Sequence, residues 1–317
     1  MRKFTITDSV ERYLACRHSL GYKMSSQGYM LRNFAAFVDS QTKVDRLDTQ
    51  LALRWACLSS SAAPLYCARR LEVVRCFARY LAVFDERTEI PPMGILGAAH
   101  RRIKPHIYTD EEIETLLRSC SMLMPPDSLR PLTYRTLFGL LASTGLRVSE
   151  ALRLANKDVD LSRAVLSVNE TKFHKSRIIP IHSTVVAALA AYMSERDRRW
   201  AVPVSDRFFR SSKGAPLPYT TVRHAFRTLV RRLGWSSNGE RKLPRIHDLR
   251  HSFASKRLRD WQRQGYDLMV MLPALSTYLG HVKVSDTYWY ITALPDLLSD
   301  TAELFANFAR PERGCRQ

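Results

Sequence analysis

Apolar residues recur at helical rather than strand spacing through most of this chain, and that periodicity constrains the fold more than any other feature. Met30, Phe34, Phe37 and Val38 fall at i, i+4, i+7 and i+8, one stripe of a helix. Leu51, Trp55 and Leu58 continue the pattern behind Asp48, a residue suited to an N-cap. Val74, Phe77 and Leu81 make a third stripe behind Pro64, with Arg69, Arg70, Arg75 and Arg79 set between. For any one of these arginines, a solvated helix face and a contact with a polyanion are equally good readings. Only 12 of 317 residues are glycine, well under the usual share of about 7%, as a helix-rich chain requires. The one good strand signal is Val165 to Val168 followed, after a polar turn, by Ile178, Ile179 and Ile181. Phe208-Phe209 is a further short strand candidate. The pattern predicts a mainly α fold with a small β-sheet.

A chain of 317 residues exceeds what one hydrophobic core usually serves, so two domains are expected. The helical pattern breaks at Pro91-Pro92-Met93-Gly94, and a basic run, Arg101-Arg102-Ile103-Lys104-Pro105, follows. We read residues 1–95 as a helical domain, 96–106 as a basic linker and 107–317 as an α+β domain. The second unit opens on Thr109-Asp110-Glu111-Glu112, a capping box before Ile113, Leu116 and Leu117. Residues 134–155 read as helix broken at Thr144-Gly145, and Ser183 to Trp200 as another helix.

The formal net charge is +19, of which residues 1–100 carry +5 and the remainder +14. Such a chain is expected to bind a polyanion, nucleic acid first and an anionic membrane surface second. No run of about 18 apolar residues is present, so no spanning helix is expected. Met1 to Asp8 lacks a signal peptide's apolar stretch. Cys16, Cys57, Cys67, Cys76, Cys120 and Cys315 are scattered without metal-binding spacing. They read as reduced, mostly buried thiols of a cytoplasmic protein with neither metal nor cofactor.

Five short motifs carry chemistry. Arg147 follows the Thr144-Gly145-Leu146 turn and precedes Glu150. Lys172 sits in the turn between the two strand signals, and His247-Asp248-Leu249-Arg250-His251 puts His247 and Arg250 on one helix face. Leu279-Gly280-His281 precedes Tyr290 by nine residues from the histidine. In that order, over residues from about 107 to 300, the chain resembles the tyrosine recombinase (phage integrase) family. The N-terminal part agrees with that family's SAM-like core-binding domain in size, helical character and charge.

The resemblance implies an enzyme that cuts and rejoins duplex DNA, without metal, at recombination sites. Tyr290 would be the nucleophile, forming a 3′-phosphotyrosyl bond. Its phenol, with an ordinary pKa of about 10, needs cations or a base nearby. Arg147 and Arg250 would hold the non-bridging oxygens in their guanidinium forks, and Lys172 would protonate the 5′-oxygen leaving group. His247 would orient or accept the tyrosine proton, His281 would donate to the phosphate, and Glu150 would fix Arg147 from behind. A homo-tetramer on DNA, or an assembly with sister recombinases, is implied, with a monomer when free. A bacterial, nucleoid-associated enzyme of a mobile element fits this reading.

Alternatives stay open at this point. Lys175 rivals Lys172, because Thr171-Lys172-Phe173-His174-Lys175-Ser176-Arg177 lacks both glycines of the family's Gly-Lys-Gly-x-Lys-x-Arg pattern. Tyr278 and Tyr288 compete with Tyr290. His174, His182, His224 and His251 read as surface or packing residues. The connection between Arg250 and His281 is longer than the family's usual one, with Pro273 read as opening the helix to Leu279, as in transposon-borne members. Arg241 to Arg245 and Arg223 to Arg232 are candidate phosphate contacts. Leu297, Leu298, Leu304 and Phe305 are spaced for a helix that packs on its own domain or on a neighbouring protomer. A type IB topoisomerase, a catalytically silent DNA-binding partner and a helical transcriptional regulator are the competing functions.

Overall fold

A computed structural model describes residues 5–41, 46–58, 63–100, 104–169, 176–200, 205–235, 243–281 and 283–292. Lys172, His174, Lys175, Arg241, Lys242, Leu297, Leu298, Leu304, Phe305 and Cys315 lie outside these described residues. The chain divides into two compact units, Met1–Ile103 and Lys104–Gln317.

The first unit is built from α1 (Ile6–Ser19), α2 (Ser25–Asp39), α3 (Thr49–Ala56) and α4 (Pro64–Leu81). Three of these four starts have a chemical cause. Thr5 accepts from the Asp8 amide, Asp48 accepts from the Leu51 amide, and Pro64 occupies the first turn, where its missing N–H costs nothing. Leu14, Leu31, Phe34, Trp55, Val74, Phe77 and Leu81 meet in one core. Trp55 stands at its centre: its ring meets Phe34 edge-on at 5.1 Å, and its Nε1 donates to Asn33 Oδ1 at 3.1 Å. The Arg70 guanidinium lies 3.9 Å above the same ring. Arg70 is therefore buried, Arg75 is buried and paired with Glu72 at 3.2 Å, and Arg69 and Arg79 are exposed. Leu58 does not extend the α3 stripe, because the helix is capped at Cys57 and Leu58 is exposed.

The second unit runs α5 (Asp110–Ser119), α6 (Arg130–Thr144), α7 (Val148–Ala151), then β1 (Val159–Asp160), β2 (Val165–Val168) and β3 (Arg177–Pro180). It continues through α8 (Ser183–Arg199), α9 (Tyr219–Arg232), α10 (Ile246–Arg263), α11 (Leu268–Leu279) and α12 (Ser285–Thr292). The fold is thus mainly helical with one small antiparallel sheet, ordered β1-β2-β3. Register pairs Val165 with Pro180 and Val168 with Arg177. Leu166, Val168 and Ile179 face the core while Ile178 faces solvent, the alternation a one-sided sheet needs. Buried α6 residues Leu137, Phe138 and Leu141 share that core with Tyr192, Phe226 and Leu249. Ala254, Leu258, Leu272, Leu275, Leu279 and Tyr290 form a smaller cluster. Among the described residues, no helix is long and apolar enough to cross a membrane.

Further local expectations change. Of the described cysteines, Cys16, Cys57 and Cys76 are exposed, and only Cys67 and Cys120 are buried. Phe208 and Phe209 form no strand; they are a bent segment with both side chains fully buried. Isolated bridges at Arg207 and Arg210 flank them instead. Pro273 lies inside α11 rather than at its start, since Asp267 supplies the cap by accepting from the Met269 amide at 2.8 Å.

α6 ends on Gly145 in the left-handed conformation, φ +63°, with 2.5 Å between an added Cβ and Phe253 Cδ1. Gly145→Ala is therefore expected to cost about 1–3 kcal/mol from backbone strain and overpacking. A urea unfolding midpoint equal to that of the parent chain would contradict this.

Candidate active site

Five side chains from four helices and their ends converge in the second unit. Arg147 lies at the start of α7, and His247 and Arg250 lie in the first turn of α10. His281 follows the left-handed Gly280 that ends α11, and Tyr290 lies on α12. Helix ends leave backbone carbonyls and amides without intrahelical partners, so polar side chains are drawn to them.

Arg250 satisfies two such ends at once. Its Nη1 donates to Gly145 O at 2.8 Å, and its Nη2 donates to Leu279 O at 2.7 Å. The side chain is buried, and burial, with Arg147 acting in the same direction against the favourable nearness of Tyr290, pulls its pKa down to about 10. It stays charged at neutral pH.

Arg250 Nη2 also lies 2.9 Å from His281 Nε2. A guanidinium can only donate, so Nε2 accepts and the ring proton sits on Nδ1, 2.8 Å from Thr287 Oγ1. Burial and the charges of Arg250 and Arg147 push the His281 pKa down to about 4, which keeps the ring neutral at pH 7. His247 has its ring accessible to solvent, yet loss of water on its protein side and the charge of Arg250 also lower its pKa.

Glu150 is the buried carboxylate of the site. Arg147 Nη1 donates to its Oε1 at 2.7 Å and the Arg147 amide to its Oε2 at 3.1 Å. Arg177 Nη2 donates to Oε2 at 2.8 Å. Burial opposes the charge, but the bonds and charge of Arg177, with those of Arg147, outweigh it and hold the pKa at about 2. The second Arg147 nitrogen, Nη2, donates to Gly280 O at 3.1 Å.

Tyr290 is 3% exposed. Its ring lies against His251 at 5.2 Å and stacks on His281 at 5.9 Å and 17°. Of the competing tyrosines, Tyr278 stacks on Phe253 and Tyr288 is exposed. His182 caps α8 from the surface and His224 is exposed.

His251 is the histidine that sequence reasoning undervalued. It is half-buried, edge-on to His247 at 5.0 Å and against Tyr290, with its Nδ1 buried and unpartnered. The signal available was its position four residues after His247 on a helix, which stacks the two rings. Arg177 was quoted within a motif but given no role, since its partners are distant in sequence. Lys172 lies outside the described residues. The assembled site offers two guanidiniums, three histidines and one phenol around a single cleft, a set suited to binding an anion beside a nucleophile.

The chain is similar to known proteins over most of its length. The family model described as "Phage integrase family" matches residues 107–296. A Sinorhizobium fredii protein named "Putative integrase/recombinase y4rB" is 40% identical over 301 residues, covering 93% of this chain and 95% of its own. The tyrosine recombinase XerA of Thermococcus kodakarensis is 31% identical over 221 residues, 69% of this chain and 68% of its own. The solved structure of the Tn1549 transposon integrase in complex with transposon right end DNA covers 96% of this chain and 100% of its own. Its TM-score is 0.69 at 18% identity, a likeness of fold.

The lowered histidines make the unit acid-labile. Folded His251 and His281 take up protons only near pH 4, whereas their ordinary value is 6.5. The unfolded chain therefore binds more protons between those values, and stability falls as pH drops from about 6.5 towards 4. Glu150, held at about 2 rather than 4.5, extends the fall below pH 4.5. His251→Phe should make the slope of stability against pH shallower by up to about 1.4 kcal/mol per pH unit, one proton's worth. Urea midpoints measured from pH 7 to 4 check this; an unchanged slope refutes it.

Proposed function

Because the chain belongs to the phage integrase family of tyrosine recombinases, we propose that the cleft around Tyr290 is where one DNA strand is cut and resealed. Members of this family cleave and rejoin DNA without metal ions, and this chain is such an enzyme. The observation that carries the site assignment is the convergence of Arg147, Arg250, His247, His281 and Tyr290 from four helices on one cleft.

The Tyr290 phenol oxygen attacks the scissile phosphorus and forms a 3′-phosphotyrosyl bond. The bond to the 5′-oxygen breaks, and Lys172 supplies the proton that makes a 5′-hydroxyl. Rejoining runs the same steps backwards. Arg147 and Arg250 face the non-bridging oxygens, where charge accumulates in the transition state. His247, kept neutral, takes the phenol proton. Before DNA binds, Arg250 Nη2 spends its two hydrogens on Leu279 O and His281 Nε2. A phosphate oxygen replaces the second of these. His281 then donates from Nε2 in its other tautomer, and the Thr287 hydroxyl turns to donate to Nδ1. A phenol 3% exposed must also come forward, so a shift of α12 precedes cleavage.

Residues 1–95 and 107–317 are read as core-binding and catalytic domains joined by a basic linker, both gripping the duplex. The α9 arginines Arg223, Arg227 and Arg231 are exposed four residues apart and suit phosphate contact. Recombining two sites needs four strand cuts, hence a homo-tetramer, or an assembly with sister recombinases, on DNA and a monomer when free. The role is integration, excision or transposition of a mobile element, in the bacterial cytoplasm.

The test is a nicked duplex carrying the element's own end sequence, which traps the covalent intermediate. An adduct should form in EDTA, disappear in Tyr290→Phe, and form about 10²–10³ times more slowly in Arg250→Ala. An adduct that persists in Tyr290→Phe places the nucleophile elsewhere. Absence of an adduct in the parent chain, with binding intact, favours a silent DNA-binding partner.

Thr287→Val, which removes the hydroxyl behind His281, should slow cleavage about tenfold while leaving DNA binding unaltered. Parent-like single-turnover rates would dismiss the tautomer exchange.

A further inference from the structure

Arg177 is a charged side chain of the site, bonded to two of its elements, that no catalytic step uses. It sits at the start of β3, and its guanidinium reaches three places. Nε donates to Tyr278 O at 2.8 Å, Nη2 to Glu150 Oε2 at 2.8 Å, and Nη1 approaches Glu150 Oε1 at 3.4 Å. Its side chain is 11% exposed and that of Glu150 is 1% exposed. The cleft also leaves room for it: a Cβ on Gly280 would stand 2.6 Å from Arg177 Nη1 and 2.9 Å from its Cζ. Gly280 is in turn the residue whose carbonyl receives Arg147 Nη2.

Resting on the reading of Arg147 as a phosphate ligand, we infer that Arg177 is a positioning residue that keeps Arg147 free for DNA. Arg147 and Arg177 compete for one carboxylate. An arginine and a glutamate left alone prefer a two-pronged pair, in which both oxygens take parallel N–H bonds. Arg147 makes only one side-chain bond to Glu150, Nη1 to Oε1 at 2.7 Å. The other oxygen is filled by Arg177 Nη2 and by the Arg147 amide. Arg177 thereby blocks the closed pair, and Arg147 Nη2 turns to Gly280 O instead. The second positive charge also leaves the Arg147–Glu150–Arg177 group with a net +1, so neutralisation of Arg147 by the carboxylate is avoided. Without Arg177, Arg147 would fold back on Glu150 and withdraw charge from the phosphate. Its bond to Tyr278 O, just before Leu279 and Gly280, holds the end of α11 from which Arg250 and Arg147 both take a carbonyl.

A scissile methylphosphonate, in which a methyl replaces one non-bridging oxygen, separates positioning from general stability. That group is neutral and needs less cationic stabilisation in the transition state, so a variant whose only fault is a misplaced phosphate ligand loses less on it. Single-turnover cleavage is compared on phosphate and methylphosphonate duplexes for the parent chain, Arg147→Ala, Arg177→Met and Arg177→Lys. Arg177→Met should bind DNA like the parent and cleave the phosphate about 10- to 100-fold more slowly. Its deficit should shrink several-fold on the methylphosphonate, in parallel with Arg147→Ala. Arg177→Lys, with the charge but not the fork, should fall between. If Arg147→Ala shows the shrinkage and Arg177→Met shows equal deficits on both substrates, Arg177 is only structural and the inference fails. If Arg147→Ala itself shows no shrinkage, the assignment of Arg147 to the phosphate fails, and this inference with it. Should Arg177→Met lose DNA binding through misfolding, the same two-substrate comparison is decided on Arg177→Lys.

Discussion

The site depends on one buried cation. Arg250 lies where α6 and α11 end, and each helix terminus presents carbonyls carrying the negative end of its dipole. Its guanidinium joins Gly145 O and Leu279 O, which are 134 residues apart in sequence, and so fixes where the following residues, Leu146–Arg147 and Gly280–His281, leave their helices. Remove that cation and two sets of carbonyls lose their partner inside a poorly hydrated cleft. An uncompensated polar group there costs more than its hydrogen bond contributes. The same guanidinium faces His281 and Tyr290, so the group that holds the cleft together is also the one aimed at the substrate.

Around it, charge is distributed by competition. Glu150 is ionised despite its burial because two arginines share it, and the three histidines are kept neutral by burial first, with the charge of Arg250 acting in the same direction on each. The outcome is a cleft with surplus positive charge and uncharged nitrogen bases beside a phenol. An anion entering it meets cations already desolvated and oriented, which is how fixed electrostatics accelerate phosphoryl transfer. Thr287 belongs to the same design, because a hydroxyl can donate or accept and so allows His281 to exchange tautomers without moving.

Much of this was legible in the residues. The stripes of α2, the Asp48 and Thr109 caps, the Val165–Val168 strand and the helix break at Thr144-Gly145 follow from local rules that need no tertiary context. Arg147, Glu150, His247, Arg250, His281 and Tyr290 could be named because they stand in short motifs in a characteristic order. What could not be read was every property set by neighbours distant in sequence. Arg70, placed on a stripe edge, stacks on Trp55 and is buried. Phe208-Phe209 looked like a strand and is an irregular segment with both rings inward. His251 looked like packing and lies against the candidate nucleophile. Pro273 looked like a helix start, although Asp267 takes that part.

By itself, the sequence determined the helical class, the small sheet, the basic charge and the list of reactive side chains, because periodicity, capping and motif spacing act within a few residues. Only the tertiary structure decided which of those side chains meet and in what state. Whether Glu150 is ionised, which nitrogen of His281 carries the proton, and how Arg147 divides its nitrogens between Glu150 and Gly280 O are set among Arg147, Arg177 and Arg250, side chains brought together by different elements. Burial and long-range hydrogen bonding set those answers, and neither is written in any local stretch of the chain.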